Sequence, residues 1–317
     1  MVSRIARDTL LTMIWGPVVQ TMVMTGASRG IGGEALARIV DAAPGAHVLV
    51  VVRDAARQAW ASAFDEVRLV EADLARLPDV ASAAQHIARL VDSGEVPPIS
   101  TMVLNAGIQR VDANGRTEDG FEPTFAVNVL ANHVLVRSLA DRLQPRGRVV
   151  ITVSDTHFGD LRHNLGMVPG PQWRDPHVLA RPGAFDRPGT LRAGRTAYST
   201  SKLAAIHLMH EYARRYPERV VLGYNPGFVP ATGLARDAGP LTRYAMQHVL
   251  PLLARTPVVG TVQGAGRQLA DLALGRLDAP AGAYVDRDRV ARSSPQSYDP
   301  ARERQLWEAA ERLTGRA

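Results

Sequence analysis

Tyr198 and Lys202 stand four residues apart in the stretch RTAYSTSKLAAIH, residues 195–207. Four residues make about one helical turn, so both side chains leave the same face and reach one pocket. An ordinary phenol keeps its proton until a pH of about 10. A neighbouring ammonium favours phenolate, so the pair predicts a tyrosine of lowered pKa that protonates a carbonyl or deprotonates an alcohol. All but one of the 37 lysines and arginines in the chain are arginine, and the exception is Lys202. A broad planar guanidinium cannot stand in for a compact amine, which explains the exception.

A second constellation lies near the start. The apolar run TMVMT, residues 21–25, leads into TGASRGIG, which carries Gly26, Gly30 and Gly32, and then into the helical pattern GGEALARIVDAA. A glycine turn between a strand and a helix lets the backbone approach a pyrophosphate, whose charge then rests on the helix N-terminus. The spacing G-x-x-x-G-x-G differs from the commoner G-x-G-x-x-G, and its strand–turn–helix setting is what gives it meaning.

Positioning these residues requires alternating elements. AHVLVVV (46–52), VRLVEA (67–72), ISTMVLN (99–105), GRVVITVS (147–154), RVVLGYN (219–225) and AGAYVD (281–286) join TMVMT as strands, several of them apolar on both faces. Helical patterns fall between them: DVASAAQHIARLVDSG, PTFAVNVLANHVLVRSLADRL and TSKLAAIHLMHEYARRY. Alternation of this kind predicts an α/β, Rossmann-type, doubly wound sheet of seven mainly parallel strands with helices on both faces. With no internal repeat and no clean linker, residues 1–317 read as one domain. Residues 1–19 form an N-terminal arm, a long loop (155–197) follows strand five, and residues 228–280 are a second elaboration. Both elaborations are expected to cover substrate.

The bulk properties narrow the function. The formal charge of +6 comes from arginines scattered among acids, with no basic stripe, which argues against nucleic acid and for an anionic small ligand. Absence of cysteine excludes thiolate nucleophiles, disulfides and cysteine-ligated metals. His207 and His210 are three apart, a spacing that fits a helix face, and no metal site is expected. LLTMIWGPVV is too short to span a bilayer and lacks a small-residue cleavage site, so the expectation is a cytoplasmic protein with no membrane span.

The glycine turn, Asn105-Ala106-Gly107 closing the fourth strand, and YSTSK together resemble the short-chain dehydrogenase/reductase family with a Tyr-x-x-x-Lys site. The likeness is close over residues 20–230. Beyond them, SPQSYDPARERQLWEAAERLTG is similar to the C-terminal helix of retinol-dehydrogenase-like members. The resemblance implies Asn128, Ser154, Tyr198 and Lys202 as the catalytic set. Ser154, at the end of strand five, would hydrogen-bond the substrate oxygen, and Asn128 would orient a water beside the lysine. Lys202 and Tyr198 would also touch the nicotinamide ribose. The interval from Ser154 to Tyr198 exceeds that of most members and resembles the retinol dehydrogenase and protochlorophyllide reductase branch. A substrate lid is expected there, with an oligomer contact or a surface loop as the alternatives.

The resemblance also assigns the cofactor contacts. Ser28, Arg29 and Ile31 join the three glycines, Leu74 accompanies Asp73 at the adenine, and Asn105, Ala106 and Gly107 line the crevice. Pro226, Gly227, Val229 and Thr232 hold the nicotinamide. Strand two ends in Val52-Arg53 where an NAD enzyme has an acid, and Arg53 with Arg29 suits a 2′-phosphate, so NADP(H) is the expected cofactor, with Asp54 as a competitor for the ribose. The implied function is an NADP(H)-dependent oxidoreductase interconverting a carbonyl and an alcohol on an apolar small molecule. The arginine bias suggests a GC-rich, actinobacterial genome, in which such enzymes often tailor secondary metabolites. Reduction of a conjugated C=C bond and a catalytically silent NADP-binding regulator are the alternatives. Homodimer and homotetramer both stay open.

Overall fold

Parallel strands buried on both faces need helices on both sides, and this chain supplies them. The computed structural model describes residues 20–164, 166, 168–229 and 260–315. The expected N-terminal arm, Thr232 and most of the 228–280 elaboration lie outside the described residues.

Strands β1 (Thr21–Thr25) and β4 (Ile99–Leu104) are buried at every position and form the middle of the sheet. Around them run β2 (His47–Val52), β3 (Val67–Glu71), β5 (Leu143–Thr152), β6 (Val220–Asn225), β7 (Ala283–Asp286) and β8 (Arg289–Ala291). The order is β3-β2-β1-β4-β5-β6-β7-β8, parallel through β7. Chain progression reverses between β1 and β4, which opens a crevice beyond their carboxyl ends.

The expected seven strands become eight. β8 pairs antiparallel with β7 after a tight turn at Arg287, whose φ is +59°. Its sequence, Arg-Val-Ala in a polar neighbourhood, is three residues long and leaves no alternating apolar signal.

On one face α1 (Gly30–Ala42) packs against α7 (Val262–Ala273), burying Ala35, Leu36 and Ile39 with Leu269 and Ala270. On the other lie α2 (Leu77–Asp92) and α3, which runs from Pro123 to Leu139 through a π turn at Ala126–Leu130. The segment after β5 carries a 3-10 turn (Asp155–Phe158), α4 (Leu161–Asn164) and α5 (Pro176–Leu179), and then α6 (Leu191–Arg215). The C-terminal α8 (Pro300–Leu313) covers α6.

α6 starts nine residues before the TSKLAAIH pattern suggests, because Thr190 accepts the Ala193 N–H and caps an earlier first turn. The region 155–197 is therefore not one loop. Leu179, Ala180 and Phe185 enter the core, and the main chain of Ala113 bonds both Gly183 and Pro188. Among the described residues, no helix is long and apolar enough to cross a membrane.

Candidate active site

At the end of β1 the chain turns through Gly26 (φ +67°) and enters α1 at Gly30 (φ +57°), conformations that glycine adopts without strain. Gly32 has no alternative: a Cβ there would stand 2.1 Å from the Gly26 carbonyl oxygen and 2.5 Å from Asn105 Nδ2. Asn105 ties three strand ends together. Its Nδ2 donates to the Gly26 carbonyl at 3.0 Å and its Oδ1 accepts from Thr152 Oγ1 at 3.0 Å. Next to it, the Ala106 N–H donates to Thr25 Oγ1 at 3.1 Å.

The cradle fits a dinucleotide phosphate. The α1 N-terminus has no side-chain cap at Arg29 and no acid in its first turn, and a Cβ on Gly30 would meet nothing within 4 Å. An uncapped helix start with no acid in its first turn carries the partial positive charge that suits an anion. Ser28 and Arg29 are exposed at its mouth, and Ile31 is buried behind it.

Along the crevice, Arg53 is exposed just past β2, while Asp54 forms an ion pair with Arg57 at 2.9 Å. Asp73 Oδ1 accepts the Ala75 N–H at 2.9 Å, the contact of a strand-end turn, and Leu74 packs against the core beside it.

The other constellation forms where β4, β5, α3 and α6 meet. Lys202 Nζ donates to the Thr152 carbonyl at 2.8 Å and lies 5.6 Å from the Tyr198 ring centroid. The Ser154 side chain lies near enough to the Tyr198 hydroxyl to pull its pKa down. Ser154 Oγ accepts the Thr156 N–H at 3.3 Å and reaches Asp155 Oδ1 at 3.4 Å.

Asn128 sits in the π turn of α3, a local irregularity that often marks a functional position. Its side chain accepts from Ile108 N at 2.9 Å and donates to Ile108 O at 3.0 Å and Ser201 Oγ at 2.9 Å. It thereby fastens the Gly107-Ile108 turn to α6. A Cβ on Gly107 would come within 3.3 Å of Asn128 Oδ1 and 3.4 Å of Lys202 Nζ. Asn128, Ser154, Tyr198, Lys202 and Gly107 thus share one corner of the crevice.

Electrostatics at this corner reverse one expectation. The Tyr198 phenol is pushed up, not down: burial dominates and Asp155 adds to it, while Ser154 pulls back. Burial also lowers Lys202 to about 8. The amine spends its hydrogen bond on Thr152 and meets the tyrosine at ring distance, so desolvation of both groups outweighs their attraction. The phenol therefore holds its proton at neutral pH. Beside it, the Asp155 carboxyl is raised to about 6, chiefly by burial and then by Asp286.

Sequence reading overlooked two positioning groups. Asn225, the last residue of β6, accepts from the Asp155 and Gly227 N–H groups, each at 3.1 Å, and donates to Asp286 Oδ1 at 3.0 Å. A polar residue ending a buried strand immediately before Pro226-Gly227 was the available signal. His157, wholly buried, hydrogen-bonds the Ser154 carbonyl through Nδ1 and accepts the Ser294 N–H at 3.0 Å through Nε2. Nothing in sequence marks that contact, because its partner lies 137 residues away. Gly227 (φ +70°) stands at the crevice rim, where a Cβ would strike Arg287 Nε at 2.7 Å, and Val229 is buried beside it.

A family model described as short chain dehydrogenase matches residues 20–163. The WW domain-containing oxidoreductase of Danio rerio is 30% identical, aligning 93% of this chain with 68% of that protein. The chain belongs to the short-chain dehydrogenase family. Protochlorophyllide reductase B of Oryza sativa subsp. japonica, a chloroplastic protein, is 28% identical over 94% of this chain and 78% of its own. Among solved structures, a putative uncharacterized protein from Mycobacterium Paratuberculosis superposes with a TM-score of 0.63 at 25% identity, covering 93% of each chain. This short-chain dehydrogenase has, among its described residues, no group of three or more side chains able to hold a metal ion.

Proposed function

We propose that this chain reduces a carbonyl group on an apolar small molecule, or runs the reverse oxidation, with NADP(H). The observation that carries the reading is the convergence of the Tyr198 and Ser154 side chains with the Lys202 amine and Gly107 at the carboxyl ends of β4 and β5. In this reading residues 1–317 act as one domain. The α1 N-terminus and Gly26, Gly30 and Gly32 hold the pyrophosphate, and Arg29 and Arg53 attract the 2′-phosphate. When bound, the nicotinamide supplies or accepts the hydride.

The remaining work falls to side chains. Ser154 donates to the substrate oxygen and stabilises the charge that gathers there. Tyr198, protonated at neutral pH, delivers its proton to that oxygen in the reducing direction. Lys202, held by the Thr152 carbonyl, keeps a positive charge near the phenol as its proton leaves. Asn128 keeps Gly107 and α6 in register so that these groups stay converged.

The test is NADPH oxidation over a panel of ketones, aldehydes and enones, with Tyr198→Phe alongside. The variant is expected to lose about 10²–10⁴-fold in turnover while still binding NADPH. Unchanged turnover on an accepted substrate would refute the assignment. The likeness to protochlorophyllide reductase B supports a second reading, reduction of a conjugated C=C bond. Enones consumed while saturated ketones are untouched would favour it. A tailoring role in secondary metabolism fits the arginine-rich composition.

A further inference from the structure

A cavity of about 480 Å³ opens between the segment that follows Ser154 and the strand-to-helix connection that precedes α8. Its walls are Phe158, Arg162 and His163 on one side and Arg292, Ser293, Pro295 and Tyr298 on the other. That volume is within the range of small-ligand clefts, about 300–1,000 Å³. No aspartate or glutamate lines it.

Three of the seven lining residues are basic, and they are not equivalent. His163 is engaged, its Nδ1 lying 2.7 Å from Asp160 Oδ1. Arg162 and Arg292 have no carboxylate partner among the described residues; Arg292 sits 5.6 Å from the Tyr298 ring centroid. Two guanidiniums without counter-ions at the mouth of one cavity favour an anion and disfavour a cation. The aromatic walls add a shape. Phe158 stacks flat on His163, with centroids 3.7 Å apart and planes within 6°, and Tyr298 is 44% exposed. Tyr298 in turn stacks on His210, with centroids 5.2 Å apart, so these rings give the cavity a fixed apolar wall.

The cavity is wired to the catalytic corner. Phe158 ends the 3-10 turn that starts beside Ser154, and four residues at roughly 2 Å each separate them by about 8 Å. His157, the residue between, holds the Ser154 carbonyl with one ring nitrogen and the Ser294 N–H with the other. Gln296 closes the same link by donating to the His157 carbonyl at 2.9 Å. The chain neighbours of the lining residues Phe158, Ser293 and Pro295 and the backbone of Ser154 are therefore parts of one hydrogen-bonded unit.

We infer that this cavity binds the carboxylate end of an aromatic or conjugated substrate, with Arg162 and Arg292 pairing the carboxylate and Phe158 and Tyr298 as the apolar wall beside its body. The inference rests on the carbonyl-reductase reading and gives its substrate a class: a keto acid or formyl acid whose reacting carbon lies at the Ser154 end.

Benzoate is the probe. Calorimetric titration of the full chain at low salt is expected to show saturable benzoate binding, with benzyl alcohol giving none. Arg162→Ala/Arg292→Ala, at two exposed positions, is expected to weaken benzoate at least about tenfold and to leave NADPH binding unchanged. In the oxidation panel, keto acids should outrun their methyl esters by about tenfold in kcat/KM, and only with the wild-type chain. Benzoate binding that is absent, or equal in the double variant, overturns the cavity's assignment. A panel with no accepted carbonyl overturns the reductase reading instead, and the benzoate titration still reports on the cavity.

Discussion

Asp155 and His157 are two residues apart and titrate in opposite senses, which makes their pH behaviour the sharpest check on the site. Burial, helped by Asp286 and resisted by His163, Ser154 and Arg287, raises Asp155 from 3.8 to about 6. Between those values the folded chain binds a proton that the unfolded chain does not, so stability rises as pH falls through 6. The cost of the ionised carboxylate is fully present above 6 and gone below 3.8. A gap of about two pH units corresponds to about 3 kcal/mol. Burial lowers His157 from 6.5 to about 4. There the unfolded chain takes the proton first, so stability is lost as pH falls from 6.5 to 4, by about 3 kcal/mol. In the wild-type chain the two slopes overlap and largely cancel. Asp155→Asn keeps the shape, and the backbone bond to Asn225, but removes the charge. It should gain about 2–3 kcal/mol at pH 8, and the gain should vanish near pH 4 as the His157 slope stands uncovered. Urea unfolding followed by tryptophan fluorescence at pH 4.5, 6 and 8 measures this, and every other titrating group cancels in the difference between variant and wild type. A variant no more stable than wild type at pH 8, or a difference that does not change with pH, would show that the Asp155 carboxylate is solvated.

Three further perturbations separate the parts. Gly32→Ala places a methyl 2.1 Å from the Gly26 oxygen, so the turn must open; NADPH binding, read by fluorescence titration, should fall by at least about 100-fold while circular dichroism stays unchanged. Asn225→Ala strips the partner from two N–H groups and from Asp286, at about 2–4 kcal/mol, and should lower kcat more than it raises KM because Asp155 and its neighbour Ser154 lose their anchor. Glu311→Gln weakens the bonds by which α8 grips His133 and Arg137 on α3. Those partners pull Glu311 down to about 2 against the cost of its burial, so its contribution stands above pH 4.5 and is lost as pH falls toward 2. The variant should be about 2–3 kcal/mol less stable at pH 7 and near wild type at pH 2.

The sheet was legible because its centre leaves no ambiguity. TMVMT and ISTMVL are apolar on both faces, and only a strand covered twice tolerates that. The glycine turn was legible for a related reason: Gly32 cannot carry a Cβ, so its spacing from Gly26 is a steric record of the fold. β8 was not, since three residues, two of them exposed, hold their place through β7 and a positive-φ arginine, neither of which is a local property of Arg-Val-Ala. The start of α6 was missed because a cap at Thr190, not an apolar repeat, determines it.

At the active corner, residue type and spacing identified which groups converge but not the sign of their interaction. Two residues on one helical face imply proximity, and proximity of an ammonium to a phenol implies a lowered pKa only where their attraction exceeds the cost of desolvating both. Tyr198 and Lys202 are 6% and 4% exposed, and Thr152, fifty residues before the lysine, supplies the carbonyl that takes its hydrogen bond. Burial therefore turns the tyrosine into an acid that keeps its proton, and the same burial turns Asp155 into a neutral group just below pH 6. A site arranged this way keeps the Tyr198 proton in place at neutral pH, so the protonation state of the pair follows from the packing around it more than from the pair itself.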